Sequence, residues 1–542
     1  MNGHATANGH ANGHAGTPEE FDVVIVGSGI SGINSAQRVQ TQCAPGTTYT
    51  VLESRSDMGG TWNFFKYPGI RSDSDLHTFG FPWRPWNSNQ TIADGPSIMK
   101  YMRESAKEAG IDKKIRYNHR VSNAAWDSQT LRWTLDVDVN GQHKTMVARF
   151  IVLGTGYYDY KEPMKTQIPG IDNFKGKIIH PQFWPEDYDY TGKRISIIGS
   201  GATAVTILPV LAEKAAQVTM VQRSPSYVLS QPGKDRLGSI YRSFLPGSWA
   251  AKLDRIRFLL LPYAFFYFCR YFPNAARKIL AAETQRRLPK HIPVDPHFKP
   301  SYNPWEQRLC LCPDADFYKG LRKGNCDIVT GTIKTITEKG ILMDSGETLE
   351  CDTIVTATGL KIFLAGGINF TVDGKPITVG EKFMWKGIML QDLPNVSFVV
   401  GYTNASWTLG AEATAQLVVR LMNDMRKKGY VAAVPRLQNP EDMPSTPFLN
   451  LNSTYIKNAL SVMPKVGAVG QWKPRVNYFL DLKEAKFGDI VSDLEFFKEG
   501  QSKGEIRKVG KVPKSGAGEA QREAEKIKEE EKRNLLDNTA AV

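Results

Sequence analysis

Two segments of the chain share one order of hydrophobic and polar positions. The first has an apolar run over 21–26, a glycine-rich turn, a helical stretch to about Gln40 and a second apolar run, Tyr49–Leu52. The second has apolar runs at Arg194–Ile198 and 217–221 on either side of a similar turn and helical stretch. Short apolar runs flanking a helical stretch predict a parallel β-α-β unit. Two such units predict an α/β fold with two Rossmann-like dinucleotide-binding domains.

The first glycine-rich turn has the spacing of a nucleotide site. Gly27, Gly29 and Gly32 form G-x-G-x-x-G between the predicted strand and helix, and Glu53 stands 21 residues after Gly32. Glycines here let the backbone approach a pyrophosphate at the helix N-terminus, and a carboxylate at the end of the next strand accepts ribose hydroxyl hydrogen bonds. Because strand, turn, helix and acid occur in this order, we expect a dinucleotide site rather than an incidental turn.

The second turn reads G-x-G-x-x-A, and its unit ends in Arg223 instead of an acid. A guanidinium at this place can pair with a 2′-phosphate, so the unit should prefer NADP(H) to NAD(H). The alternative is that Arg223 only faces solvent, as most arginines do. The predicted site residues of this unit are Gly199, Ser200, Gly201, Ala202, Thr203, Ala204, Arg223 and Ser224.

The composition and charge of residues 231–300 predict a helical insertion there. The net charge of +13 suggests an anionic partner. The insertion alone has 13 basic and four acidic residues around the apolar run 258–269, which Pro262 interrupts and which is too short to span a bilayer. One interpretation is a peripheral membrane contact through about 256–272. The other is an insertion packed on the protein, with its apolar face over a substrate tunnel.

Other classes of function find no support in the sequence. The six cysteines are scattered without a C-x-x-C pair, which is typical of a reducing compartment, and no secretory signal is present, so we expect a cytoplasmic protein. No motif indicates nucleic-acid binding, and no metal site is predicted. We expect a disordered leader over 1–20 and a charged tail over 501–542.

Between the two units lies a string that identifies a family. Residues 174–185 read F-x-G-x-x-x-H-x-x-x-W-P, with His180 and Trp184 at its fixed positions. This string resembles the fingerprint of the type I Baeyer–Villiger monooxygenases of the flavin monooxygenase superfamily. Its Trp-Pro ending separates them from the related flavin-containing monooxygenases. The resemblance implies FAD in the first unit and NADPH in the second.

Further segments extend the resemblance over about 21–490. Residues 59–62 and 67–73 look like the family's flavin-contacting stretch, Val121 falls where relatives contact the FAD adenine, and 357–359 is similar to an A-T-G segment that links the domains. The resemblance assigns cofactor binding to Gly60, Thr61, Trp62, Arg71, Ser72, Asp73, Val121, His180 and Trp184. It divides the chain into an FAD domain in two parts, 21–165 and 346–500, around an NADP domain at 166–345.

The same resemblance implies two catalytic residues. Arg308 aligns with the family's active-site arginine, and Asp73 would hold it and tune the flavin environment. Many members have Lys immediately before that arginine, but this chain has Gln307, which removes one expected NADPH contact. This segment and residues 401–407 place the chain nearer the branch of the ethionamide-activating monooxygenases.

The implied reaction inserts one atom of O2 into a ketone and yields an ester or lactone. In the family, NADPH reduces FAD, and a flavin C4a-peroxide attacks the ketone while an arginine stabilises the developing negative charge. One alternative is a flavin monooxygenase that oxygenates sulfur or nitrogen. Another is a flavin reductase or redox-sensing module that transfers no oxygen, although Cys310 and Cys312 lack the spacing of a reactive pair.

Overall fold

Eleven strands form the larger sheet of the computed structural model, which describes residues 17–307, 309–449, 456, 458–475 and 477–507. Its first strand, Glu19–Val26, pairs in parallel with Tyr49–Leu52 on one side and Gln142–Leu153 on the other. This first strand lies inside the sheet because its valines and isoleucine are buried on both faces. The strands of the sheet are Glu19–Val26, Tyr49–Leu52, Ile115–Arg116, His119–Asp127, Arg132–Val139, Gln142–Leu153, Asn369–Val372, Lys375–Pro376, Met384–Trp385, Met389–Leu390 and Val396–Phe398.

A second sheet has five strands, all parallel. In spatial order they are Cys326–Thr330, Gln217–Gln222, Arg194–Ile198, Thr353–Thr356 and Lys177–Ile179. An all-parallel sheet with buried strands confirms the predicted α/β class. Thr353–Thr356 pairs with Arg194–Ile198 in this sheet, whereas the expected division assigns 346–500 to the other domain.

Helices cover both sheets, and shorter strands connect them. The described helices are Ile30–Gln42, Thr61–Phe64, Leu76–Phe79, Gly95–Glu108, Ala202–Leu211, Arg236–Arg242, Gly247–Tyr271, Pro273–Arg287, Asp316–Leu321, Trp407–Lys428 and Tyr478–Phe487. Two smaller sheets have two strands each: Val228–Gln231 with Cys310–Pro313, and Ser445–Pro447 with Lys465–Gly467. Two others have three strands, which in spatial order are Ile333–Thr337, Gly340–Met343 and Thr348–Glu350 in one and Tyr430–Pro435, Leu494–Lys498 and Glu505–Arg507 in the other.

The insertion is helical, as predicted. Its helices are Arg236–Arg242, Gly247–Tyr271 and Pro273–Arg287, and the second continues through Pro262. Among the described residues, no helix has both the length and the apolar character needed to cross a membrane.

The ends of the chain differ in part from the expectation. Residues 1–16 and 508–542, where we expect most of the leader and the tail, lie outside the described residues. Glu19 and Glu20 belong to the first strand instead of a leader, because their backbone pairs with Gln142–Leu153. Their carboxylates pair with Arg116 and Arg132, so charged side chains are tolerated at this exposed end of the strand.

A buried ion cluster joins two of the insertion helices to each other and to His77. Arg242 Nη2 lies 3.0 Å from Asp235 Oδ2, and Arg242 Nε lies 2.8 Å from Asp254 Oδ2. Arg257 pairs with both carboxylates, and His77 Nδ1 lies 3.9 Å from Asp254 Oδ2. Two guanidinium groups thus balance two buried carboxylates, as charges removed from water require.

The ion cluster makes part of the stability dependent on pH. Burial lowers the pKa of His77 from 6.5 to about 4, although the Asp254 carboxylate opposes the shift. Between those pH values the unfolded chain binds a proton that the folded state does not. The free energy of unfolding should therefore fall as the pH falls from 6.5 to 4, by up to ~3 kcal/mol from His77. His77→Phe can keep the stacking on Phe258 and removes the proton site.

Urea unfolding of both proteins at several pH values between 4.5 and 7 measures this contribution. We expect the variant to lose less stability in acid than the parent protein. Asp75, whose pKa burial raises to about 6, acts in the opposite direction but is present in both proteins. Equal acid slopes for the two proteins would refute the assignment to His77.

Candidate active site

The first glycine-rich turn is so tight that only glycine fits at two of its positions. Gly27 has a φ of +98°, a conformation that favours glycine. A Cβ on Gly32 would lie 1.8 Å from the carbonyl oxygen of Gly27. Gly154, at the end of Gln142–Leu153, approaches from the other side: a Cβ there would lie 2.8 Å from the Gly32 nitrogen. The turn therefore holds the start of the helix directly against the strands.

This turn leaves the first amide groups of the next helix available to a ligand. The helix Ile30–Gln42 begins after Gly29 without a side-chain cap and without an acidic residue in its first turn. By contrast, Gly95–Glu108 is capped by Asp94, whose side chain accepts a hydrogen bond from the Ser97 amide. Helices need partners for their first amides, and a pyrophosphate supplies them at an uncapped N-terminus. The turn thus fits a dinucleotide.

Glu53 lies where a ribose would be recognised. Its carboxylate is buried beside the turn and accepts hydrogen bonds from Ser28 N and Ser28 Oγ, both at 2.8 Å, and from Arg55 N at 3.0 Å. The strand His119–Asp127 passes close by, since His119 N donates to the Glu53 carbonyl at 2.8 Å. Val121 on that strand is buried with the core of the larger sheet.

The segment after Glu53 returns to the turn. Gly60 has a φ of +53°, and a Cβ on it would lie 3.2 Å from the Gly29 Cα. Thr61 Oγ1 lies 3.2 Å from the hydroxyl of Tyr160, and the Trp62 ring packs edge-on against Phe79 with centroids 5.6 Å apart. Gly60 therefore lies against the first turn, and Thr61 and Trp62 follow it directly. We call the first turn, Glu53 and Gly60 the first cradle.

The second turn repeats this arrangement on the five-stranded sheet. Gly199 has a φ of +133°, and a Cβ there would lie 2.3 Å from the Ala357 carbonyl oxygen. The helix Ala202–Leu211 begins after Gly201 without a side-chain cap, and the space around the Gly201 Cα is open. Ala204 is buried beneath the turn. A second anionic nucleotide fits this helix N-terminus for the same reason as the first.

Arg223 stands at the edge of the second turn. It follows the strand Gln217–Gln222 directly and is exposed. Ser200 Oγ donates to the Ser224 carbonyl at 2.8 Å, which joins the turn to the residues around Arg223. Within the described part of the chain Arg223 forms no ion pair, so its guanidinium is available for a 2′-phosphate.

The segment 67–73 comes after the first cradle in the chain and packs on the second cradle, which the second turn, the helix after it and Arg223 form. A Cβ on Gly69 would lie 2.7 Å from Val210 Cγ2, so the backbone packs directly on the helix Ala202–Leu211. Arg71 forms an ion pair with Asp316, with Nη2 to Oδ1 at 3.3 Å, although the resemblance assigns this arginine to the cofactor. The stretch implied to contact flavin therefore also contacts the nucleotide-binding helix of the other sheet.

The predicted catalytic pair is described only in part. Arg308 lies outside the described residues. Burial raises the pKa of Tyr67 to about 12, and the nearby Asp73 carboxylate contributes to the increase. Ser72 is buried, and its hydroxyl donates to the Ser74 carbonyl at 2.6 Å, which fixes the backbone on either side of Asp73.

The fingerprint string lies at the junction of the two sheets. His180 Nδ1 accepts a hydrogen bond from Gln182 N at 3.2 Å, and the imidazole lies beside the Gly359 backbone. Burial lowers the pKa of His180, which favours its neutral form. Trp184 is buried in the core of the five-stranded sheet, with its ring 6.4 Å from that of Tyr188. His180 therefore borders the link between the sheets, and Trp184 packs in the core.

Sequence reasoning missed the contacts that hold the first helix. Glu412 is buried and accepts hydrogen bonds from Asn34 Nδ2 at 3.0 Å and Arg38 Nε at 3.1 Å. Trp407 Nε1 donates to Ser31 Oγ at 2.8 Å. Their one signal in the sequence is the acid Glu412 amid the small and apolar residues 409–415, which does not identify its partners.

Known proteins resemble the chain in sequence and in fold. Residues 21–238 match the flavin-binding monooxygenase-like family. The FAD-containing monooxygenase EthA of Mycolicibacterium smegmatis is 46% identical over 483 residues, which are 89% of this chain and 98% of EthA. An oxidised steroid monooxygenase bound to NADP has a TM-score of 0.67 at 22% identity, over 88% of this chain and all of that one. A polycyclic ketone monooxygenase from Thermothelomyces thermophila has a TM-score of 0.70 at 15% identity, over 90% and 91% of the two chains.

Two dinucleotide cradles on a fold shared with these enzymes define a flavin-binding monooxygenase with two nucleotide sites. The chain belongs to the flavin-binding monooxygenase-like family.

Proposed function

We propose that this monooxygenase inserts one oxygen atom of O2 into a ketone and releases an ester or lactone. In this proposal FAD binds at the cradle of the eleven-stranded sheet, and NADPH binds at the cradle of the five-stranded sheet. The observation that carries the proposal is the segment 67–73, which packs on the second nucleotide helix and forms an ion pair across the junction. The two cofactors would then meet at this segment.

The residues of the chain have distinct tasks in this proposal. FAD, when bound, supplies the oxygen-activating chemistry that no side chain can provide. The first turn and Glu53 hold its pyrophosphate and ribose, while Arg223 selects NADPH through the 2′-phosphate. Asp73 would position Arg308, whose permanent positive charge stabilises the oxyanion that develops on the ketone.

The choice of a ketone as the proposed substrate is based on the fingerprint string, residues 174–185, which resembles that of the Baeyer–Villiger enzymes. Phe174 and Trp184, near its two ends, are both buried, and His180 between them lies beside the Gly359 backbone. The second candidate is an S- or N-oxygenating enzyme with the same cofactor pair, because the 46% identity to a FAD-containing monooxygenase fits either reaction.

A reductase without oxygen transfer has less support. A disulfide reductase of this kind needs a reactive cysteine pair, but Cys310 and Cys312 are both buried. Burial raises the pKa of Cys312 to about 12, so its thiol stays protonated at neutral pH.

Paired panels of ketones and sulfides test the reaction class. The FAD-loaded protein receives NADPH and O2 with each compound, and the products are separated by mass spectrometry. We expect esters or lactones from at least one class of ketone. If sulfides alone are oxygenated, the ketone proposal is wrong and the second candidate replaces it. NADPH oxidation without any oxygenated product would support the reductase.

A further inference from the structure

The helix Gly247–Tyr271 has an apolar surface on its outer side as well as on its inner side. On the inner side Ala250, Tyr263 and Cys269 are buried, and the Tyr263 hydroxyl accepts a hydrogen bond from Tyr478 N at 2.9 Å. The outer side carries six large apolar residues that are between 39% and 73% exposed. We call them the outer stripe: Trp249, Leu253, Ile256, Leu260, Tyr267 and Tyr271.

The spacing of the outer stripe shows that its members share one helix face. Its members follow one another at intervals of three, four or seven residues, which places them in a row along an α-helix. Neighbouring parts of the insertion add further exposed apolar residues, so that 12 of the 20 large exposed hydrophobic residues in the described chain fall within 237–279. Soluble proteins rarely expose apolar surface in such concentration unless it contacts a partner.

The charges around the outer stripe indicate the kind of partner. Arg236, Lys252 and Arg270 are exposed. Asp235 and Asp254 are buried in the ion cluster and do not offset these cations at the surface. A second copy of the chain would bring like charges together, which is unfavourable. An anionic lipid surface instead satisfies both the apolar residues and the cations.

Details of the stripe fit a lipid interface. Lys252 Nζ lies 5.4 Å from the centre of the Trp249 ring, and tryptophan and lysine both favour the boundary between acyl chains and water. On the inner side the Phe266 ring packs edge-on against Trp305, with centroids 5.5 Å apart. The helix Gly247–Tyr271 thus carries the outer stripe on one side. On its other side it contacts Trp305, which precedes the predicted catalytic Arg308 in the chain.

We propose that the outer stripe docks peripherally on the surface of an anionic phospholipid bilayer. The apolar side chains enter the boundary of the acyl layer while the exposed cations meet lipid phosphates. This inference concerns the insertion and stands whether the substrate is a ketone or a sulfide. It favours the membrane interpretation of the insertion, with the inner helix face packed on the protein.

Vesicle flotation of the full-length, FAD-loaded protein tests the proposal. The probes are phosphatidylcholine vesicles with and without phosphatidylglycerol, at low and high salt. We expect flotation with the anionic vesicles and weaker flotation in high salt or without phosphatidylglycerol. The double variant Ile256→Glu/Leu260→Glu should reduce the partition coefficient by about 100-fold, because it removes two inserting side chains and adds negative charge.

The control is Phe487→Glu, a similar change at an apolar residue that is 80% exposed and lies outside the insertion. It should change the partition coefficient by less than about twofold. Unchanged flavin content and circular dichroism show that each variant is folded. Failure of the parent protein to float overturns the proposal, and so does equal flotation of the double variant. Sedimentation velocity showing a dimer that the double variant dissociates would assign the stripe to a second copy instead.

Discussion

Replacing Gly32 with alanine is expected to yield protein that no longer retains FAD. The added methyl group would lie 1.8 Å from the Gly27 carbonyl oxygen, a backbone atom that cannot move without opening the turn. Overpacking of this kind costs about 3 kcal/mol of stability, and the displaced helix N-terminus no longer faces the pyrophosphate. We expect purified protein without the flavin absorbance band and without NADPH-dependent oxygenation.

Two further variants separate loss of the cofactor from general damage. Gly247→Ala places the same methyl group in open space at the start of a helix and should leave flavin content unchanged. Glu53→Gln keeps an oxygen for Ser28 but lacks the negative charge, and should raise the Kd for FAD about tenfold through weaker ribose binding. Full flavin occupancy in Gly32→Ala would contradict the placement of FAD at this turn.

Arg223→Ala is expected to remove the preference for NADPH. The side chain is exposed beside the second turn and lacks an ion pair within the described residues, so a 2′-phosphate would be its main charged partner. Loss of a hydrogen bond to a charged group costs about 1.5–3 kcal/mol, which corresponds to a 10- to 100-fold lower kcat/KM with NADPH. The kcat/KM with NADH should change by less than about twofold, because NADH has no 2′-phosphate.

The ratio of the two kcat/KM values is the decisive quantity for Arg223. Arg286→Ala serves as the matched control, since Arg286 is 69% exposed and lies on the insertion, on the helix Pro273–Arg287. It should leave the ratio unchanged. An equal decrease with NADPH and NADH in Arg223→Ala would mean that the arginine has a structural role and that the phosphate lies elsewhere.

The sequence predicts the two β-α-β units closely because local chemistry defines them. Tyr49–Leu52 and Arg194–Ile198 have their predicted bounds, since each is an apolar run that ends at a polar residue or a glycine-rich turn. The positions of Gly32 and Arg223 follow from the same units. A β-α-β unit places the turn and the end of the next strand side by side, wherever the rest of the chain lies.

Contacts between distant segments could not be predicted in this way. Arg71 and Asp316 are 245 residues apart, and Arg38 and Glu412 are 374 residues apart. Neither pair has a periodicity or spacing that connects its members. Pro262 is a different case, because its missing amide predicts a break in a helix. The helix nevertheless continues through it, and Leu259 and Tyr263, on either side of the proline, are buried. Their packing offsets the one lost hydrogen bond.

In the proposed reaction the two cradles work together in transferring one oxygen atom from O2 to a ketone. Incubating the FAD-loaded protein with NADPH, a ketone identified in the product panel and isotopically labelled oxygen gas tests this most directly. We predict one labelled oxygen atom in each molecule of ester or lactone and one NADPH consumed for each product. NADPH consumption matched by hydrogen peroxide, with no labelled ester or lactone, would contradict the account.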